Sequence, residues 1–368
     1  MSPSATRRKA VEPNAVTAQR IEVRKTYKLY IGGVFPRSES GRSYEVTDPR
    51  GTFLANAAMG SRKDARDAVV AARFAFGKWS STTAYNRGQV LYRVAELMEG
   101  RRAQFAAEVG AAEGLTPAGA DKVVTAAIDR WVWYAGWSDK IAQVLGGVNP
   151  VAGPYFNISG PEPTGVVAAL APQRSSLLGL VSVLAPIVVS GNTAVVLGSE
   201  QRPLPAVTLS EVLATSDVPA GVVNLITGRT AEVAPWLASH QDVNAIDLAG
   251  AADADDLAWA DLERAAADNL KRVLRPAGDG DDAVEPDWTR TPDLTRIKAF
   301  LETKTGYGLD VESESRSARV AASVADTVSF LGAHVVPAGV DRRDYLDLLT
   351  GPMLRAVESH VQWIDAFC

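Results

Sequence analysis

The chain has one cysteine in 368 residues, Cys368, at the last position. One thiol excludes any disulfide within the chain and suits a reducing, cytoplasmic setting. Histidine is also scarce: His240, His334 and His360 lie far apart, without metal-ligand spacing. Positive charge is not in excess, since the formal net charge is -5, so nothing in the balance points to nucleic acid. No G-x-G-x-x-G or Walker loop is present. The run Asp279-Asp281-Asp282 lacks the spaced ligands and closing Glu of a calcium loop and reads as a solvated linker. The first residues carry Arg7, Arg8, Lys9, Arg20, Arg24 and Lys25 but no apolar stretch, so residues 1–25 read as a disordered tail rather than a secretory signal.

The stretch from Ser175 to Ser199 carries no charge and is long enough to suggest a membrane span. Pro186 and the turn Gly191-Asn192-Thr193 interrupt it, which fits a buried helix followed by a buried strand better than a membrane span. Apolar residues make up 46% of the chain and charged residues 22%, as in an ordinary globular protein with room for more than one domain.

The stretches 27–33 and 43–49 read as short strands. Ser61 is a plausible N-cap for a helix running to Trp79. A second helix covers "NRGQVLYRVAELMEGRRAQFAAEV", with Val90, Leu91, Val94, Leu97 and Met98 in one stripe. A third spans about 117–144, with Trp131, Trp133, Tyr134 and Trp137 as core anchors. "GGVNPVAGPYFNISGPEPTG" reads as a projecting hairpin. Strands at 166–170, 194–197, 222–226 and 245–248 then alternate with helices at 177–189, 204–215 and 232–239, and the segment 254–274 reads as helix. This repetition predicts a parallel, doubly wound α/β sheet. Residues 275–292 read as a linker, and 312–368 as a small helical unit.

Several of these stretches are similar to the aldehyde dehydrogenase superfamily: "YKLYIGGVFPRSESGRSYEVTDP", "GVNPVAGPYFNISGPEPTGVVAAL" and "LAPIVVSGNTAVVLGSEQRPLPAVTLSEVL" with "PAGVVNLITG". The likeness covers about Tyr27 to Leu274, and "RIKAFLETKT" resembles the C-terminal tail of some bacterial members. It implies that residues 26–274 form the family's Rossmann-like NAD-binding domain, that 146–164 is its oligomerisation hairpin, and that 293–311 is its oligomerisation tail. The family oxidises aldehydes with NAD(P), using a cysteine nucleophile, a glutamate base and an asparagine that stabilises the oxyanion.

This sequence departs from that pattern at each chemical position. Arg174, in "APQRSS", occupies the place of the oxyanion asparagine, and a longer, permanently charged side chain is a poor substitute. Leu197 stands where the family has a cofactor-binding lysine; Glu200 remains. Of the turn beside the pyrophosphate only Gly250 is kept, while Asp247, Asp253, Asp255 and Asp256 add negative charge nearby. Gly228 persists in the adenine-side turn. Glu200, Gly228 and Gly250 are thus the vestigial cofactor residues. After "NLKRV" the general base and the catalytic domain are replaced by the 275–292 linker. Cys368 is no substitute for the nucleophile, being terminal and without a positive, ordered surrounding.

The expectation is a catalytically inactive subunit. It carries no cofactor and assembles with a full-length aldehyde dehydrogenase paralogue, or with itself, through hairpin and tail. No catalytic residue, metal, nucleic acid or membrane partner is expected. The alternatives are an NAD(P)-dependent oxidoreductase with a divergent site, and a scaffold whose C-terminal unit docks another protein.

Overall fold

In this computed structural model the described residues are 25–150, 157–278 and 283–307. The readings of residues 1–24, of 312–368 with Cys368, His334 and His360, and of the 279–282 acidic run lie outside them.

The amino-terminal part opens with a small sheet of β1 (Thr26–Tyr27), β2 (Ser43–Thr47) and β3 (Phe53–Ala58), in the order β1-β3-β2. Of the expected first strand only Tyr27 pairs this way, with Thr26 before it. Tyr30 bridges instead to Leu225 of the main sheet. Helix α1 (Arg62–Ser80) begins where Ser61 predicts: Ser61 Oγ accepts the Asp64 N–H at 3.3 Å, and Asp64 accepts the Ser61 N–H at 2.8 Å.

The long helix expected next is two helices, α2 (Ala84–Gly100) and α3 (Arg102–Glu113). The break falls at Arg101, with φ -111° and ψ 14°, whose guanidinium reaches Gln104 and Glu211. The third expected helix also divides, into α4 (Pro117–Ala135) and α5 (Ile141–Leu145), after the turn that starts at Gly136. Trp131 and Tyr134 are core residues, and Trp133 and Trp137 pack against them from the margin.

The hairpin contributes β4 (Gly147–Val148) and β5 (Asn157–Pro163). A regular winding follows: β6 (Val166–Leu170), α6 (Leu178–Val189), β7 (Thr193–Leu197), α7 (Leu204–Thr215), β8 (Val223–Ile226), α8 (Thr230–Ser239) and β9 (Ala245–Asp247). The chain then forms α9 (Trp259–Ala267) and β10 (Arg272–Leu274). The expected helix over 254–274 therefore ends early. Leu270 adopts a left-handed φ of +57° and closes the last turn, with its N–H on the Ala267 carbonyl, a role usually left to glycine.

The main sheet is wholly parallel, in the order β10-β9-β6-β7-β8. Along β6 the side chains divide between two cores: Val167 and Ala169 face the one containing α4, α6 and α7, while Val166, Ala168 and Leu170 face the one containing α1 and α8. Every residue of α6 is buried, so the uncharged stretch is a core layer. Among the described residues no helix is long and apolar enough to cross a membrane.

The described part of the expected linker packs inward: Trp288 is buried in the α6-side core. Helix α10 (Thr295–Ala299) and strand β11 (Leu301–Tyr307) follow. β11 runs antiparallel to β5 from Leu301↔Pro163 to Tyr307↔Asn157, giving a separate sheet β11-β5-β4.

Candidate functional site

The carboxyl ends of β6, β7, β8 and β9 bring the sequence-predicted residues into one region. The turn after β6 holds Gln173 and Arg174, that after β7 Ser199 and Glu200, that after β8 Gly228, and that after β9 Gly250.

In the "APQRSS" turn each polar residue has a partner within the chain. The Gln173 side chain is buried. Its Oε1 accepts the Glu200 N–H at 2.9 Å and its Nε2 donates to the Ala171 carbonyl at 3.1 Å, stapling the β6 turn to the β7 turn. Ser175 Oγ accepts the Gly179 N–H at 2.9 Å. The Ser176 N–H and hydroxyl both donate to Glu113, at 2.7 and 2.6 Å. Arg174 projects outward, its side chain 73% exposed, and pairs with Asp253 at 2.6 Å. Its backbone N–H donates to Glu285 at 3.0 Å. Burial pushes the Glu285 carboxyl above its usual range, against the pull of those N–H bonds.

Glu200 is occupied as well. Its carboxylate accepts the Thr230 N–H at 2.9 Å, capping the first turn of α8 where the helix dipole favours an anion. The neighbouring Thr230 hydroxyl is buried and has no hydrogen-bond partner among the described residues. Gly228 has φ +147°, and a Cβ there would come within 3.0 Å of the Gly60 backbone nitrogen. Gly250 is more constrained: a Cβ would lie 2.1 Å from the Ala171 carbonyl oxygen. Both glycines are needed for the close approach of backbones.

The four aspartates do not act as one cluster. Asp247 is wholly buried and paired with Arg296 of α10. Burial pushes its carboxyl up while the Arg296 guanidinium pulls it down. Asp253 holds Arg174, and Asp255 accepts from Gln201 at 3.4 Å. His240 accepts the Asp242 N–H through Nδ1 at 3.2 Å, a local turn contact. No group of three or more metal-ligating residues occurs among the described residues.

The backbone donors at these strand ends are engaged within the chain. The N–H at the start of α8 is satisfied by Glu200, the turn before α6 by Glu113, and the β6 and β9 loops meet at Gly250. A cleft of about 300 Å³ lies elsewhere, beside the start of α1, and is lined by Arg42, Ser61, Arg62, Glu232 and Trp236. Gln173, Glu113 and Glu285 are the residues that sequence reasoning missed. Gln173 stood in the turn singled out, but its partner Glu200 is 27 positions away, and nothing in the spacing joins them.

Comparison with known proteins agrees with this architecture. Residues 35–280 match the model of the aldehyde dehydrogenase family. Retinal dehydrogenase 2 of Gallus gallus is 34% identical over 263 residues, covering 70% of this chain and 49% of the relative. The solved structure of PnpE in complex with nicotinamide adenine dinucleotide superposes with a TM-score of 0.63 at 28% identity, covering 68% of this chain and 51% of the other. The chain thus spans about half the length of such relatives. A stretch of 69 residues is 65% identical to imidazolonepropionase of an Arthrobacter species, covering 19% of this chain and 17% of that protein. With its parallel winding and the match over residues 35–280, the chain belongs to the aldehyde dehydrogenase family.

Proposed function

We propose that this chain is a noncatalytic aldehyde dehydrogenase-like subunit that assembles with a full-length paralogue, in a structural or regulatory role. The observation that carries the reading is the projecting sheet β11-β5-β4. It is a sheet separate from the main one, and among the described residues its outer strands β11 and β4 each pair on one side only. Val148 of the outer strand β4 and its register partner Ile158 of β5 are 70% and 49% exposed, an apolar patch beside an edge suited to adding to another chain's sheet. The inactivity half of the reading rests on Arg174, whose exposed guanidinium is paired with Asp253, and on Glu200, which caps α8.

Purification from the native host, with size-exclusion chromatography and mass spectrometry, tests the assembly. An aldehyde dehydrogenase at a fixed ratio is the expected result; a lone, well-behaved monomer counts against it. The second reading, an NAD(P)-dependent oxidoreductase with a divergent site, draws support from the NAD-bound relative of the same fold. Calorimetry separates the two: saturable NAD⁺ binding favours the second, and no heat at millimolar cofactor removes it.

A further inference from the structure

The main sheet reverses its order between β6 and β9. From β6 the chain winds outward through β7 to β8, then crosses back and lays β9 on the other side of β6. In open α/β sheets the crevice outside the carboxyl ends of two such strands is where ligands bind. Here that crevice meets the chain's own later residues at both strands. At the β6 end, Glu285 accepts the Arg174 N–H at 3.0 Å, and the Gln173 N–H faces the same carboxylate. At the β9 end, Arg296 pairs with Asp247, the last residue of the strand.

Between these anchors the segment is clamped. Trp288 is 7% exposed and lies under the Arg296 guanidinium, 4.8 Å from ring centroid to carbon. Arg130 of α4 donates to the carbonyls of Trp288 and Arg290, at 2.8 and 2.9 Å, and to Ser182 of α6 at 2.7 Å. The rim is closed by Arg202, which donates to the Arg174 carbonyl, and by the Arg174–Asp253 pair.

We propose that residues 284–296 form an intramolecular strap across the switch-point crevice, with the Glu285 carboxylate seated on the Gln173 and Arg174 N–H groups in the place of an anionic ligand. The seat offers two backbone donors beside the cations Arg174 and Arg202, a set that takes a carboxylate or phosphate oxygen. Because the occupant is tethered, it is present at a high effective concentration and excludes dilute competitors. The strap stands whether or not the chain docks on a partner, so its failure and the failure of the assembly reading are separate outcomes.

Hydrogen exchange by mass spectrometry on the full chain tests it, comparing wild type with Glu285→Ala and using inorganic phosphate as the probe. In the variant, the peptide over residues 171–177 exchanges about tenfold faster, while strand 166–170 keeps its protection. Phosphate slows that peptide in the variant and leaves the wild type unchanged. Equal exchange in variant and wild type overturns the strap. Slowing of the wild type, or none in the variant, overturns the anion seat. If the alanine variant fails to fold, Glu285→Gln keeps the side-chain shape without the charge; an increase of about threefold is expected, and no increase overturns the proposal equally.

Discussion

Gly250 shows how little freedom the strand ends allow. Its missing side chain lets the β9 loop press on the Ala171 carbonyl, so Gly250→Ala must push two backbones apart. A loss of about 3 kcal/mol is expected in urea unfolding. Arg174 is the opposite case: exposed, and held by one surface pair. Arg174→Asn restores the family's residue type, yet it should change stability by less than about 1 kcal/mol and yield no aldehyde-dependent NADH, measured by absorbance. Lys271 carries a pH signature. It is 8% exposed, and burial lowers its ammonium pKa from 10.5 to about 8. Between pH 8 and 10.5 the unfolded chain therefore binds more protons than the folded one, and stability rises with pH across that window, by up to about 3 kcal/mol. Lys271→Met should flatten this rise in urea titrations.

At the scale of elements, the sequence was most readable where burial is complete. The strands β6, β7 and β8 and the helices α6 and α7 lie close to their expected bounds, because both faces of each layer are covered and their apolar runs are continuous. It was least readable where a residue acts against its type. Leu270 in a left-handed turn separates α9 from β10, and the alanine-rich run before it hides the boundary. Arg101 breaks α2 from α3 through side-chain partners distant in sequence. The candidate site was readable as positions but not as contacts: Arg174, Glu200 and Gly250 all reach the strand ends, whereas the pairing of Glu200 with α8 and of Glu285 with the β6 turn depends on the finished fold. Asn192 joins three elements in the same hidden way. Fully buried, it accepts the Gly165 N–H at 2.7 Å and donates to the Phe300 carbonyl at 2.8 Å and to Ser190 at 2.7 Å. Asn192→Ala leaves those groups unpaired and should cost about 2–4 kcal/mol, with faster exchange at the base of β5 and β11.

The molecule as a whole is a binding-domain fold whose ligand-facing groups are turned inward. Glu113, Glu200 and Glu285 each satisfy donors that the strand ends would otherwise present to an anion, while the outer edges of the β11-β5-β4 sheet have no partner strand among the described residues. That contrast, a closed crevice beside an open edge, is why assembly rather than chemistry is proposed as its role. The most direct check is the purified chain, alone, incubated with NAD⁺ and a panel of aliphatic and aromatic aldehydes while NADH formation is followed. The account predicts no formation above the cofactor-only control; sustained, aldehyde-dependent NADH production would contradict it.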